Sequence, residues 1–157
     1  MTDESTKRTL RFIHIPEKVA EEARRTRIDA FGHHLKSYQG RESCRVCLNI
    51  SREPEDFLLL SYRPLPDRNP YAEVGPIFIH ERECTPYGSL DEFPEDFRSR
   101  ALVLRAYDGD GEIVDATVAA AGEGERAAAN FLDNPTVEEV HVRHPTYTCF
   151  DFKVVRG

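Results

Sequence analysis

Two runs of strand-forming residues, 101–107 and 113–119, flank the tetrapeptide Asp108-Gly109-Asp110-Gly111. Consecutive turn formers between two such runs are the strongest hairpin signal in the chain, and a hairpin commits both runs to antiparallel pairing. The tetrapeptide also resembles the opening of a calcium loop. It lacks the later ligands and the closing Glu at the required distance, so it reads as a turn. A second hairpin is expected from residues 137–143 and 149–155, joined through His144-Pro145-Thr146-Tyr147-Thr148. Residues 10–15 alternate apolar and polar as a first strand, 56–62 form an apolar run of strand length, and 77–80 follow the Gly75-Pro76 turn. Pro16, with Glu17, Glu21 and Glu22 close behind, suits the start of a helix over 18–27. Residues 123–132 are alanine-rich and read as a second helix, closed by Asp133-Asn134-Pro135. Residues 86–97 read as irregular or briefly helical, and 63–70 as a proline-rich surface loop. Antiparallel β-hairpins with two short helices packed on the sheet give an α+β fold.

The chain has 157 residues, the size of one domain. One α+β domain over 10–157 is expected, preceded by a polar, frayed tail over 1–9. Nine Phe and six Tyr supply core material. A net charge of −7 lacks the basic footprint that general nucleic-acid binding requires. No apolar run approaches the ~20 residues of a membrane helix, and the N-terminus has no signal-peptide core. The expected setting is the cytoplasm, with no membrane partner. In that reducing compartment Cys44, Cys47, Cys84 and Cys149 read as thiols, metal ligands or reactive groups before disulfides.

Cys44 and Cys47 have the Cys-x-x-Cys spacing that metals and redox chemistry both use, and His80 and Cys84 form a distant pair at the end of a strand. Together they make a candidate Cys3His zinc site, with soft thiolates and an imidazole as ligands. The competing reading is of buried cysteines acting as small hydrophobes, with His80 at a polar strand end. His33-His34 reads as a solvated loop, because adjacent side chains in regular structure rarely aim at one ion.

The second hairpin carries another candidate site. Strict alternation places Val140, Val142, Phe150, Phe152 and Val154 on one face and His141, Arg143, Cys149 and Asp151 on the other. With Arg143 opposite Cys149, His141 faces Asp151. In that register Cys149 is the candidate nucleophile or contact thiol, His141 the base, Asp151 its orienting carboxylate and Arg143 an anion clamp. Arg105 and Tyr107 are further candidate ligand contacts. The competing reading is a half-solvated hairpin bearing a surface ion pair.

The blocks Cys44-Arg45-Val46-Cys47-Leu48, Leu58-Leu59-Leu60-Ser61-Tyr62, Pro70-Tyr71-Ala72-Glu73 and Gly75-Pro76-Ile77-Phe78-Ile79-His80 carry a family resemblance. Arg105-Ala106-Tyr107-Asp108, Asp133-Asn134-Pro135, Val140-His141-Val142-Arg143 and Cys149-Phe150 continue it. The chain resembles, from Phe12 onward, the bacterial domain of unknown function 1203 family. The resemblance implies a compact bacterial domain without an assigned activity, and it carries over no catalytic residues. It also implies that relatives often carry Ser at the position matching Cys47 and Arg at that matching His80. This implies a metal set confined to one branch or absent. Three functions follow from the sequence: a binder of a small, anionic ligand with Cys/His chemistry, a zinc-stabilised interaction module, or a homodimeric binding module with a free sheet edge.

Overall fold

The Asp-Gly turn forms its hairpin, with β5 (Leu102–Tyr107) antiparallel to β6 (Ile113–Ala119). The computed structural model describes residues 9–157. The expected tail over 1–9 lies outside those residues except for Thr9, whose carbonyl accepts the Gly157 amide at 2.8 Å. The second hairpin also forms, from β7 (Glu139–Arg143) and β8 (Phe150–Arg156), and β1 (Leu10–Ile13) lies antiparallel along β8. The five strands make one sheet in the order β1-β8-β7-β5-β6. A second sheet holds β2 (Ser37–Gly40), β3 (Glu55–Tyr62) and β4 (Gly75–His80), all antiparallel. The fold is therefore α+β, dominated by two antiparallel sheets.

The two expected helices form, and among the described residues a third, of a single turn, accompanies them. Helix α1 (Glu17–Thr26) begins after Pro16 and ends at Arg27, which takes a left-handed conformation. Helix α3 (Gly124–Leu132) is the alanine-rich segment, and a single turn, α2 (Glu95–Arg98), lies in the stretch whose composition is ambiguous. Strand β2 has no apolar alternation to announce it: Ser37, Tyr38 and Gln39 are exposed and Gly40 is half-buried.

Two hydrophobic clusters result. One joins Phe12, Phe93, Phe97, Leu104, Leu132, Val142 and Phe152 beneath α3. The other joins Ala20 and Ala23 of α1 to Leu58, Leu60, Ile77 and Ile79, together with Cys44, Cys47 and Phe150. The Cys-x-x-Cys turn lies at their seam. Its backbone is held on several sides: Ile15 N donates to Arg45 O at 3.2 Å, Arg45 N to Phe78 O at 3.1 Å, and Tyr87 N to Val46 O at 2.9 Å.

The β7–β8 register departs from strict alternation. His141 lies opposite Lys153 and Arg143 opposite Phe150, with a bulge that leaves Asp151 as the extra residue. One inserted residue turns the preceding part of the strand over. Phe150 therefore joins the α1 cluster while Phe152 joins the α3 cluster. The expected pairings of His141 with Asp151 and of Arg143 with Cys149 are both replaced, because sequence alternation does not announce a bulge.

Asp151 is fully buried, and its partner is Arg45. The Arg45 guanidinium contacts Asp151 Oδ1 at 3.2 Å and donates to Phe150 O at 2.7 Å, Ser43 O at 2.6 Å and Ser43 Oγ at 2.9 Å. His144 Nδ1 lies 2.6 Å from the other Asp151 oxygen. Removing one member of a buried, hydrogen-bonded pair leaves a desolvated charge behind. Arg45→Met is expected to cost about 3–5 kcal/mol in urea unfolding at neutral pH, and adding Asp151→Asn to the same chain recovers part of that loss.

Candidate metal centre

The ligand atoms of Cys44, Cys47, His80 and Cys84 all lie within 4.8 Å of one another. Cys44 and Cys47 come from the turn before β3, His80 from the last position of β4, and Cys84 from the loop that follows. The separations suit one tetrahedral ion. Cys44 Sγ is 3.8 Å from Cys84 Sγ, and Cys47 Sγ is 3.6 Å from His80 Nδ1. With zinc–sulfur bonds near 2.3 Å and zinc–nitrogen bonds near 2.05 Å, a tetrahedron has edges of about 3.8 and 3.55 Å.

The local sequence builds the cup. Leu48 takes a left-handed conformation with φ 57°, and its amide returns to Cys44 O at 3.0 Å, closing the turn that brings Cys44 and Cys47 together. The amides of Val46 and His80 point at Cys44 Sγ at 3.4 and 3.3 Å, as donors to an anionic sulfur do. Hydrogen bonds from Cys47, then Cys84, hold the Cys44 thiol far below the ordinary range, with burial opposing them. Cys47 is pushed up by its hydrogen bonds to Cys44 and Cys84 and by burial. His80 is raised to about 10, chiefly by Cys44 and then Cys84. A Cys44 thiolate is thus favoured beside a protonated His80.

A second layer of contacts orients the first. His80 Nε2 lies 3.3 Å from Glu55 Oε2, which leaves Nδ1 turned toward the sulfurs, and the ring stacks on Phe57 with centroids 4.8 Å apart. A carboxylate on the far nitrogen of a metal-facing imidazole fixes its tautomer and raises its basicity. Arg24 of α1 donates to His80 O at 3.1 Å and to Cys84 Sγ at 3.5 Å. Neither Glu55 nor Arg24 stands out in the sequence, since each is one charge among many on a solvated element.

The hairpin residues divide into two groups. Arg105, Tyr107 and Arg143 do converge: the Tyr107 hydroxyl interacts with both guanidiniums, and Glu73 reaches Arg105 Nη1 at 2.8 Å and Arg143 Nη1 at 3.8 Å. The relay among Cys149, His141 and Asp151 is not assembled. Asp151 is engaged with Arg45 and His144, while the carboxylate near His141 is Glu139, at 3.3 Å. His141 is packed between the rings of Tyr107 and Phe150. Cys149 is half-buried, with its Sγ 3.8 Å from Tyr147 O.

Asp29, His33 and Ser61 form a third polar group. His33 Nδ1 meets both Asp29 Oδ2 at 3.0 Å and Ser61 Oγ at 3.1 Å. A hydrolytic relay uses the two ring nitrogens separately, so this contact braces the turn and does not activate Ser61. His34 sits in an isolated bridge with Ile28 and is exposed, as a loop residue should be.

These features define a two-sheet α+β protein with a Cys3His cluster at metal-binding distance. The chain belongs to the family described as "Protein of unknown function (DUF1203)", whose model matches residues 41–156. The match takes in all four cluster residues and begins after β2, a narrower reach than the sequence blocks from Phe12 imply. No curated protein and no solved structure matches the chain. No helix among the described residues is long and apolar enough to cross a membrane.

Burial is the largest influence on His141 and lowers its pKa, against the opposing pull of Glu139 and with help from Arg143 and Lys153. Folding disfavours the charged ring relative to the unfolded chain, which protonates it near pH 6.5. The unfolded state then binds the extra proton, so stability falls as pH drops below about 6.5, by up to ~1.4 kcal/mol per pH unit. Urea midpoints measured from pH 7.5 to 5.5 should fall less steeply in His141→Gln than in the parent.

Proposed function

We propose that this protein is a zinc-stabilised module in which Cys44, Cys47, His80 and Cys84 hold a structural zinc ion. The observation that carries the reading is the approach of four soft ligand atoms to tetrahedral separations, with Glu55 behind the imidazole. All four vertices come from the protein, which is the pattern of a structural site; a catalytic site keeps one position open for water or substrate. The ion would tie the Cys-x-x-Cys turn, the end of β4 and, through Arg24, helix α1 into one unit. Its binding free energy would then be folding free energy.

Full-length untagged protein is expected to contain about one zinc per chain by elemental analysis and to lose it in Cys44→Ser. Chelation should lower the melting temperature by about 10 °C or more, a shift corresponding to several kcal/mol at this chain length. Glu55→Ala should weaken zinc binding about 10–100-fold without removing a ligand. Metal-free protein with an unchanged melting temperature in chelator would retire the reading.

A second reading, binding of a small anionic ligand beside the β7–β8 hairpin, is supported by the convergence of Arg105, Tyr107 and Arg143. Their positive charge is met only in part by Glu73. A cytoplasmic setting accords with four cysteines that form no disulfide. Homodimerisation would use β6, an edge strand on which Val118 is 70% exposed.

A further inference from the structure

We infer that the cavity between the β7–β8 turn and the start of β4 is a receptor for a small monocarboxylate with an apolar body, and that Glu73 occupies its charged end as an internal competitor. This rests on the second reading above and assigns the class of ligand and its control. The cavity measures about 220 Å³ and is lined by Arg143 and Glu73, the rim thiol Cys149, and apolar groups including Tyr62, Ile77 and Phe150.

Arg143 carries the argument. Its side chain is 8% exposed, its Nη1 donates to Thr148 O at 2.9 Å, and its Nε is buried without a hydrogen-bond partner. Burial and then the charge of Arg105 both act against its protonated form. A buried guanidinium in this state gains from any anion that can reach it. Glu73 supplies that anion incompletely. One of its oxygens is committed to Arg105 at 2.8 Å, and the other stops 3.8 Å from Arg143.

With one Glu73 oxygen kept on Arg105, the charge left unmet on Arg143 is single, which selects a monoanion. The aromatic and aliphatic walls select a ligand with an apolar body over a fully hydrated ion. Glu73 is positioned by its own loop. Tyr71 N donates to Asn69 Oδ1 at 2.8 Å, Ala72 N to Asn69 O at 3.1 Å and Glu73 N to Tyr71 O at 2.8 Å. Asn69 in turn donates to Asp110 O at 2.9 Å, which pins the loop to the β5–β6 turn. Yet the Glu73 side chain is 52% exposed, so it can swing outward without unfolding anything.

The test is calorimetric titration of the full chain with benzoate and, separately, with inorganic phosphate. Benzoate should bind the parent weakly, bind Glu73→Gln about tenfold more tightly, and lose its binding in Arg143→Lys, which keeps a charge but not the fork of donors. If Arg143→Lys does not fold, the comparison of the parent with Glu73→Gln decides alone. Equal benzoate affinity in those two proteins would overturn the role of Glu73. Phosphate binding without benzoate binding would overturn the ligand class while leaving an anion site standing. Binding of neither probe to any variant would overturn both the inference and the reading beneath it.

Discussion

The Arg45 guanidinium is buried with five donors to satisfy, and the way it satisfies them fixes the relation between the two sheets. It sits between the two cysteines of the Cys-x-x-Cys turn, while its partners Phe150 and Asp151 belong to the bulge of β8. The bulge exposes a carbonyl and a carboxylate that no ladder partner uses, and Arg45 meets both. The turn that presents two of the cluster's thiols is thereby attached to the sheet that carries Arg105, Tyr107 and Arg143. Each site is shaped by an element whose placement depends on the other.

The parts of the fold that were legible in the sequence are those where local chemistry and tertiary structure agree. The Asp-Gly turn, the apolar run of β3 and the alanine-rich α3 each declare themselves within a few residues. Strand β2 does not, because it is an edge strand whose side chains are mostly exposed, so backbone pairing with β3 holds it more than burial does. The register of β8 was illegible for a different reason. A bulge changes which face every preceding residue occupies, and nothing in Cys149-Phe150-Asp151-Phe152 distinguishes a bulged from a regular strand.

The candidate sites divide in the same way. Cysteine and histidine are rare enough that Cys44, Cys47, His80 and Cys84 could be grouped by type and spacing, and the fold brings all four together. Arg105, Tyr107 and Arg143 likewise meet, since β5 and β7 are neighbours. The residues that complete each site are common charges. Glu55, Arg24 and Glu73 acquire their meaning from the strand, helix or loop that delivers them, and Arg45, though it stands inside a motif, acquires its meaning from a bulge more than a hundred residues away.

Leu48, the residue that closes the Cys-x-x-Cys turn, adopts a backbone conformation that a glycine would reach with less strain. A glycine would leave a hole, because the Leu48 side chain is packed in the α3 cluster while Cys44, Val46 and Cys47 beside it belong to the α1 cluster. The turn that closes the cysteine pair therefore also acts as a rivet through the seam between the two hydrophobic interiors. A disturbance at the cysteines is felt in both interiors at once, so the halves of this protein are built to melt together.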